Sequence, residues 1–174
     1  MYNLSPTELK KLRPLSSPQK IQNFLETFKS YNPKGPDTYY SPRLVLQKKR
    51  ANCLEGAIFA ALALRQLGYP PLILDLTATA HDFDHVIAPF KTKNRWGAIS
   101  KSNHAVLRYR DPVYKSIREL AMSYFHEYTD DNGHKTLRSY SLPINLKQFD
   151  KKGWATSEKP LQYIEDHLFK VKNL

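Results

Sequence analysis

The stretch Asn52-Cys53-Leu54-Glu55-Gly56-Ala57-Ile58-Phe59-Ala60-Ala61-Leu62-Ala63-Leu64 reads as the opening of a long buried helix. Asn52 is a helix-capping residue type, and Glu55 follows three positions on, which is the spacing of a capping box. Cys53 then takes the first helical position. From Ala57 to Leu64 no side of the helix is polar, so it is expected to be buried all round, against a sheet and beneath other helices. Gly68 ends it, with Pro70-Pro71 behind. A thiol at the first position of such a helix lies at the positive end of the helix dipole, which favours the thiolate, the nucleophilic form.

Working outward, Leu72 to Leu76 is a β-type run and Ala78 to Asp84 a loop. His85 to Phe90 reads as a strand, Lys91 to Arg95 as a turn and Trp96 to Ser100 as the return strand, with Val106 to Tyr109 a further strand. Upstream, Ser5-Pro6, Ser17-Pro18 and Ser41-Pro42 each place a capping serine before a proline at the first helical position. They predict a first helix, a second over about Pro18 to Ser30 with Ile21, Phe24, Leu25 and Phe28 inward, and a short third containing Val45 and Leu46. Asn32 to Asp37, with two prolines and a glycine, is a loop. Ser116 to Tyr128 reads as a helix, Asp131-Asn132-Gly133 as a turn, Leu137 to Leu142 as a strand and Pro160 to Val171 as a terminal helix. Helices first and a mostly antiparallel sheet after them make an α+β pattern, with a central buried helix packed on the sheet. We expect one domain over 1–174, with a helical N-terminal part at 1–44, a core at 45–103 and C-terminal helices and strands at 104–174.

The bulk numbers restrict the function classes. The chain has 174 residues with 41% hydrophobic and 25% charged content, an ordinary globular composition. Its one cysteine excludes an intrachain disulfide and any multi-cysteine zinc site, and fits a reducing compartment. Met1 to Glu8 lacks the basic-then-apolar order of a secretory signal. The longest apolar stretch, Ala57 to Leu64, is too short to span a bilayer. We therefore expect a soluble, cytoplasmic protein with no membrane partner. A net charge of +11 favours an anionic partner, although the basic residues are scattered in short groups such as Lys48-Lys49-Arg50 and Lys151-Lys152.

Cys53 and His85 together form a minimal acyl-transfer pair: a thiol to attack and an imidazole to take its proton. A third group must fix the imidazole tautomer. If the hairpin tip has two or four residues, Lys91 pairs with Trp96 and His85 with Ser102, so Ser100 and Ser102 flank His85 on one face. An odd tip puts Lys101 and Asn103 there instead. Ser100 or Asn103 is thus the candidate orienting residue. The backbone N–H of Cys53 supplies one oxyanion donor, and Gln47, six residues upstream, is a candidate second.

The Cys-x-x-Gly-Ala segment opening an apolar helix, then His85 on a strand, then Trp96 and a short polar stretch, resembles the transglutaminase-like superfamily. The match covers about Val45 to Asn103. The resemblance implies a fold similar to papain-type cysteine proteases, with Cys53 as nucleophile, His85 as general base and Trp96 near the substrate. It implies thiol-dependent hydrolysis of a peptide-like bond or acyl transfer through a thioester, with a peptide- or amide-containing substrate and no cofactor. The superfamily usually carries an aspartate four residues after the tryptophan of the return strand; here that position is Ser100, which has no charge to stabilise an imidazolium. The flanking helices and Arg108-Tyr109-Arg110-Asp111-Pro112-Val113-Tyr114 look like those of uncharacterised bacterial transglutaminase-like proteins.

Other readings compete. A non-catalytic binding module of the same fold is the runner-up, and the missing carboxylate is its signature. His81-Asp82-Phe83-Asp84-His85 packs four metal-ligand types into five residues and, with His104, would suit zinc or manganese; a polar loop capped by its aspartates explains the same residues without a metal. Eleven tyrosines on a basic chain would suit nucleic acid, but no Arg/Tyr alternation exceeds Arg108-Tyr109-Arg110. Taken singly, Cys53 is a small hydrophobe, His85 a structural strand residue, Glu55 a helix cap, and Trp96 and Phe90 core aromatics. Asp75 on a buried strand has no assigned partner.

Overall fold

Three serines start three helices in the computed structural model, which describes residues 3–30 and 38–174; the loop expected over Asn32 to Asp37 lies outside the described residues. The hydroxyls of Ser5, Ser17 and Ser41 accept the backbone N–H groups of Glu8, Lys20 and Leu44, and open α1 (Pro6–Leu12), α2 (Pro18–Glu26) and α3 (Pro42–Lys48). Each such cap contributes about 1 kcal/mol. The second helix stops four residues short of the expected end. Thr27 Oγ1 donates to the Phe24 carbonyl at 2.7 Å, and the chain then runs extended, so that β1 (Lys29–Ser30) pairs in parallel with β2 (Arg50–Ala51).

The central helix is α4 (Cys53–Gln66), and every residue from Leu54 to Leu64 is buried. Ile58, Phe59, Leu62 and Leu64 lie among the fully buried side chains, and burial of each stabilises the fold by about 1.5–3 kcal/mol. Beyond it Gly68, with φ +88°, turns the chain out of the helix.

The strands β3 (Leu72–Thr77), β4 (His85–Thr92), β5 (Arg95–Ile99) and β6 (Arg110–Tyr114) are followed by α5 (Ile117–Met122), β7 (Ser139–Tyr140), β8 (Ile144–Asn145) and α6 (Gln162–Leu168). The sheet runs β6-β5-β4-β3-β7, with β8 also on β3. Every neighbouring pair in it is antiparallel. The architecture is therefore α+β, with a buried helix on an antiparallel sheet. One face carries Ile73, Val86, Ala88, Phe90 and Ile99 against α4 and the helices around it. The other carries Leu74, Leu76, Ile87 and Ala98 against Leu120, Ala121 and Tyr124 of the α5 region. Among the described residues no helix is long and apolar enough to cross a membrane.

The expected strand over Val106 to Tyr109 is instead a 3-10 turn, Ala105–Leu107, and the strand begins at Arg110. The helix expected to reach Tyr128 ends at Met122, where the Ser123 hydroxyl donates to the Leu120 carbonyl at 2.6 Å. The terminal helix is also shorter than expected, Gln162–Leu168. A segment to which the sequence assigns no element, Leu146–Lys152, winds as 3-10 helix. Asp150 there takes both N–H groups of the Arg65 fork, at 2.8 and 2.9 Å, and the buried Trp154 indole N–H at 3.1 Å, which ties the C-terminal region to the last turn of α4.

Candidate active site

The start of α4 is built by reciprocal hydrogen bonds. Asn52 Oδ1 accepts the Glu55 N–H at 2.8 Å, and the Glu55 carboxylate accepts the Asn52 N–H at 2.9 Å. Glu55 is wholly buried and also accepts from the Tyr40 N–H at 2.8 Å and the Thr38 hydroxyl at 2.5 Å. It is a structural carboxylate, and it sets the first turn of the helix that presents Cys53.

The sulfur of Cys53, half-buried, lies 4.0 Å from the carbonyl oxygen of Asp84, on the backbone just before His85. Burial pushes the thiol above its ordinary value, and the nearby Asp75 adds to the shift, while the backbone N–H groups of Val86, Leu54 and Cys53 itself pull the other way. The protonated thiol is the resting form.

His85 is buried at the start of β4, opposite Leu76. Positions two apart on a strand share a face, so His85 leaves β4 on the side of Ile87, away from α4. Its Nε2 lies 3.2 Å from the Leu107 carbonyl. A carbonyl only accepts, so Nε2 carries the proton and Nδ1 is the free base. Burial pushes the imidazole down to about 4, only partly offset by the Leu107 carbonyl, and His104 and Arg110 add to the depression. At neutral pH the ring is uncharged.

Leu107 is held from several directions. Ser100, fully buried, donates its hydroxyl to the same Leu107 carbonyl at 2.7 Å. On either side, the Val106 carbonyl accepts from the Arg110 guanidinium at 2.9 Å and the Arg108 carbonyl from the Tyr124 hydroxyl at 3.2 Å. Three successive carbonyls are thus fixed, the middle one under the imidazole. The α4 helix also packs tightly against the residue after Ser100: a β-carbon built on Gly56 would lie 2.4 Å from that of Lys101.

Cys53 and His85 open onto one cavity of about 680 Å³, which Asp75, Asp84, Tyr128 and Glu165 also line. The two side chains are not hydrogen-bonded to each other; the sulfur faces Asp84 and the imidazole faces Leu107. Burial raises Asp75 to about 7, with Asp84 and Glu165 adding to the shift against the Thr77 hydroxyl bound to it at 2.8 Å.

The hairpin tip is Lys93-Asn94, both with positive φ, and Lys91 pairs with Trp96. This is the even register, and it puts Ser100 on the His85 side. The Ser100 hydroxyl does not bond the ring, however; the two share an acceptor. Asn103 is exposed and lines the cavity. Gln47 is exposed on α3 and does not reach the cavity lining. Trp96 does not reach it either: its ring lies under Lys91 Nζ, 5.3 Å away, and it pairs with Tyr114. Of the metal-type constellation, Asp82 accepts from the Thr136 hydroxyl at 2.5 Å and the Phe83 N–H at 2.8 Å, and Asp84 from the Ala78 N–H at 2.7 Å. Among the described residues no group of three His, Cys, Asp or Glu side chains is placed to hold a metal ion. Sequence reasoning missed the Leu107 carbonyl, for which a backbone atom leaves no signal. It also missed Tyr128, whose hydroxyl donates to the Phe83 carbonyl at 2.7 Å and holds the loop before His85.

No protein-family model matches this chain, and no curated protein matches it.

Proposed function

We propose that this is a transglutaminase-like cysteine enzyme, acting on a peptide- or amide-containing substrate by hydrolysis or by acyl transfer. One observation carries the reading: Cys53, at the N-terminus of α4, and His85, in its Nε2–H tautomer on the Leu107 carbonyl, line the same cavity. The pair rests uncharged, so the thiol is deprotonated as it attacks. Sγ forms a bond to the substrate carbonyl carbon and, since the imidazole leaves β4 on the side away from α4, its proton passes to His85 Nδ1 through a water in the shared cavity. The N–H groups of Cys53 and Leu54, which the helix leaves without partners inside it, face the developing oxyanion. The C–N bond then breaks and the amine leaves with the proton from Nδ1, giving a thioester on Cys53. Water, deprotonated by Nδ1, releases the acid; a second amine in its place gives transfer. The Leu107 carbonyl takes the orienting role of the usual aspartate. It fixes the tautomer but adds no full charge to steady the imidazolium, so a modest turnover is expected. A free thiol of this kind suits the cytoplasm.

A second reading, a non-catalytic binding module of the same fold, is favoured by one observation: the sulfur and the imidazole are not bonded at rest. p-Nitrophenyl acetate separates the two. The enzyme gives a stoichiometric burst of nitrophenolate and an acetyl adduct on Cys53, and Cys53→Ala and His85→Ala both lose it. A native protein whose Cys53 stays unacetylated, or is acetylated equally fast in His85→Ala, overturns the enzymatic reading in favour of the binding module.

A further inference from the structure

Gln22 lies on α2, between the buried Ile21 and the apolar stripe that continues to Leu25, and is itself 3% exposed. A buried carboxamide on such a face must find partners. Gln22 Oε1 accepts the Ser100 N–H at 3.0 Å, and Nε2 donates to the Ser100 carbonyl at 2.9 Å and to Glu26 Oε1 at 2.6 Å. The first two bonds grip both backbone groups of one residue, 78 positions away in sequence.

That residue stands where the sheet ends. The β4–β5 ladder stops at Ala88 opposite Ile99, and Ser100 is the next residue. Its N–H and carbonyl would otherwise be buried without partners. The Gln22 amide replaces the missing strand for this single residue. Holding both backbone groups fixes the direction of the Ser100 hydroxyl, which meets the Leu107 carbonyl at 2.7 Å, and the same carbonyl receives His85 Nε2 at 3.2 Å.

We propose that Gln22 is a positioning residue for His85, acting through Ser100 and the Leu107 carbonyl to select the Nε2–H tautomer. The proposal rests on the Cys53–His85 reading for its catalytic meaning, and on geometry alone for its effect on the ring. Gln22 lies outside the cavity lining, so it touches no substrate. The fit is specific to a carboxamide. Glutamate would set a second acceptor against the Ser100 carbonyl, and methionine, of similar shape, would leave both Ser100 groups without partners.

The test uses full-length protein with 15N-labelled histidine. The wild-type His85 ring is expected as the Nε2–H tautomer across neutral pH. Gln22→Met and Gln22→Glu are expected to give a mixture of tautomers at His85 and a higher apparent pKa. A near-ultraviolet circular dichroism spectrum unchanged from wild type reports a retained fold. In the same variants the rate constant for acetylation of Cys53 by p-nitrophenyl acetate should fall on the order of ten- to a hundredfold, with the half-saturating ester concentration unchanged. Ser100→Ala keeps the grip of Gln22 on the backbone and deletes only the hydroxyl; it should change the ring in the same way, and it decides the matter if the Gln22 variants do not fold. A folded Gln22→Met or Ser100→Ala protein with the wild-type tautomer and pH profile overturns the proposal. Failure of wild-type Cys53 to acetylate overturns the enzymatic reading alone, because the imidazole readout needs no activity.

Discussion

Gly56 and Lys101 are packed so closely that a β-carbon on the glycine would come within 2.4 Å of the lysine Cβ. This contact explains the glycine three residues after Cys53, and it joins the helix that presents Cys53 to the segment that carries Ser100 and Leu107. In a helix with open space, Gly→Ala gains roughly 0.5–1 kcal/mol. Here Gly56→Ala is expected to lose about 1–3 kcal/mol, because Lys101 Cβ has no room to retreat without moving its backbone. Urea denaturation gives the sign, and a stabilised variant would show that the approach is loose.

Glu55 accepts from Asn52, Tyr40 and Thr38 while fully buried. Glu55→Ala leaves these donors without their acceptor and should cost about 2–4 kcal/mol. Denaturant unfolding measures it; a loss near zero would show that the donors find other partners.

His85 and Asp75 set opposite pH dependences. The folded imidazole sits at about 4 against an ordinary 6.5, so the unfolded chain binds more protons in that window and stability rises with pH across it. The folded Asp75 carboxyl sits at about 7 against an ordinary 3.8, so the folded chain holds the extra proton and stability falls as pH rises over that range. The two slopes oppose each other between about pH 4 and 6.5. In Asp75→Asn the falling slope disappears: stability should climb with pH through the His85 window, and the variant should gain on wild type as the pH rises from about 4 to 7, with no further gain above 7. Unfolding midpoints at pH 4, 5.5 and 8 test this, and parallel curves for the two proteins would refute it.

The same depression of His85 has a kinetic consequence. The base is free above about pH 4, so the acid limb of Cys53 acetylation should fall near pH 4 rather than near the ordinary imidazole value. A limb at 6 to 7 would mean that the ring is solvated and mobile.

Arg110 donates to the Val106 carbonyl, the Ser123 hydroxyl and Glu127, with its guanidinium 4.0 Å from the centre of the Tyr124 ring. A lysine cannot reproduce that planar fork. Arg110→Lys should speed hydrogen exchange at the Leu107 and Arg108 amides and slow acetylation of Cys53, while α4 amides keep their protection. Unchanged exchange at Leu107 would remove Arg110 from the support of the site.

What could be read in advance was local. The Ser–Pro starts, the Asn52–Glu55 box and the apolar run to Leu64 are short-range signals, and from them α4 starts at Cys53 and ends just before Gly68. His85 at the head of a strand was legible for the same reason. What was not legible depends on distant packing. The expected strand at Val106 became a turn because Arg110, Ser100 and Tyr124 each capture one of its carbonyls. Gln47 was expected near the site from its six-residue spacing, but Lys49, with φ +51°, breaks α3 before β2, and Gln47 remains exposed. The hairpin parity stayed open because Lys93 is an unusual residue for positive φ, so nothing in its identity announces a two-residue tip.

That tip makes the loop's length a parity lock on a site at the far end of the strands. Were one residue added between Lys93 and Asn94 and the tip to keep two residues, the pairing would shift by one and turn the whole return strand over, sending the Ser100 hydroxyl to the opposite face and bringing a lysine side chain up in its stead. Extra residues here are therefore accepted only where the bend itself absorbs them, so a solvent-exposed loop distant from the cavity is bound to the existing ladder by the imidazole it never meets.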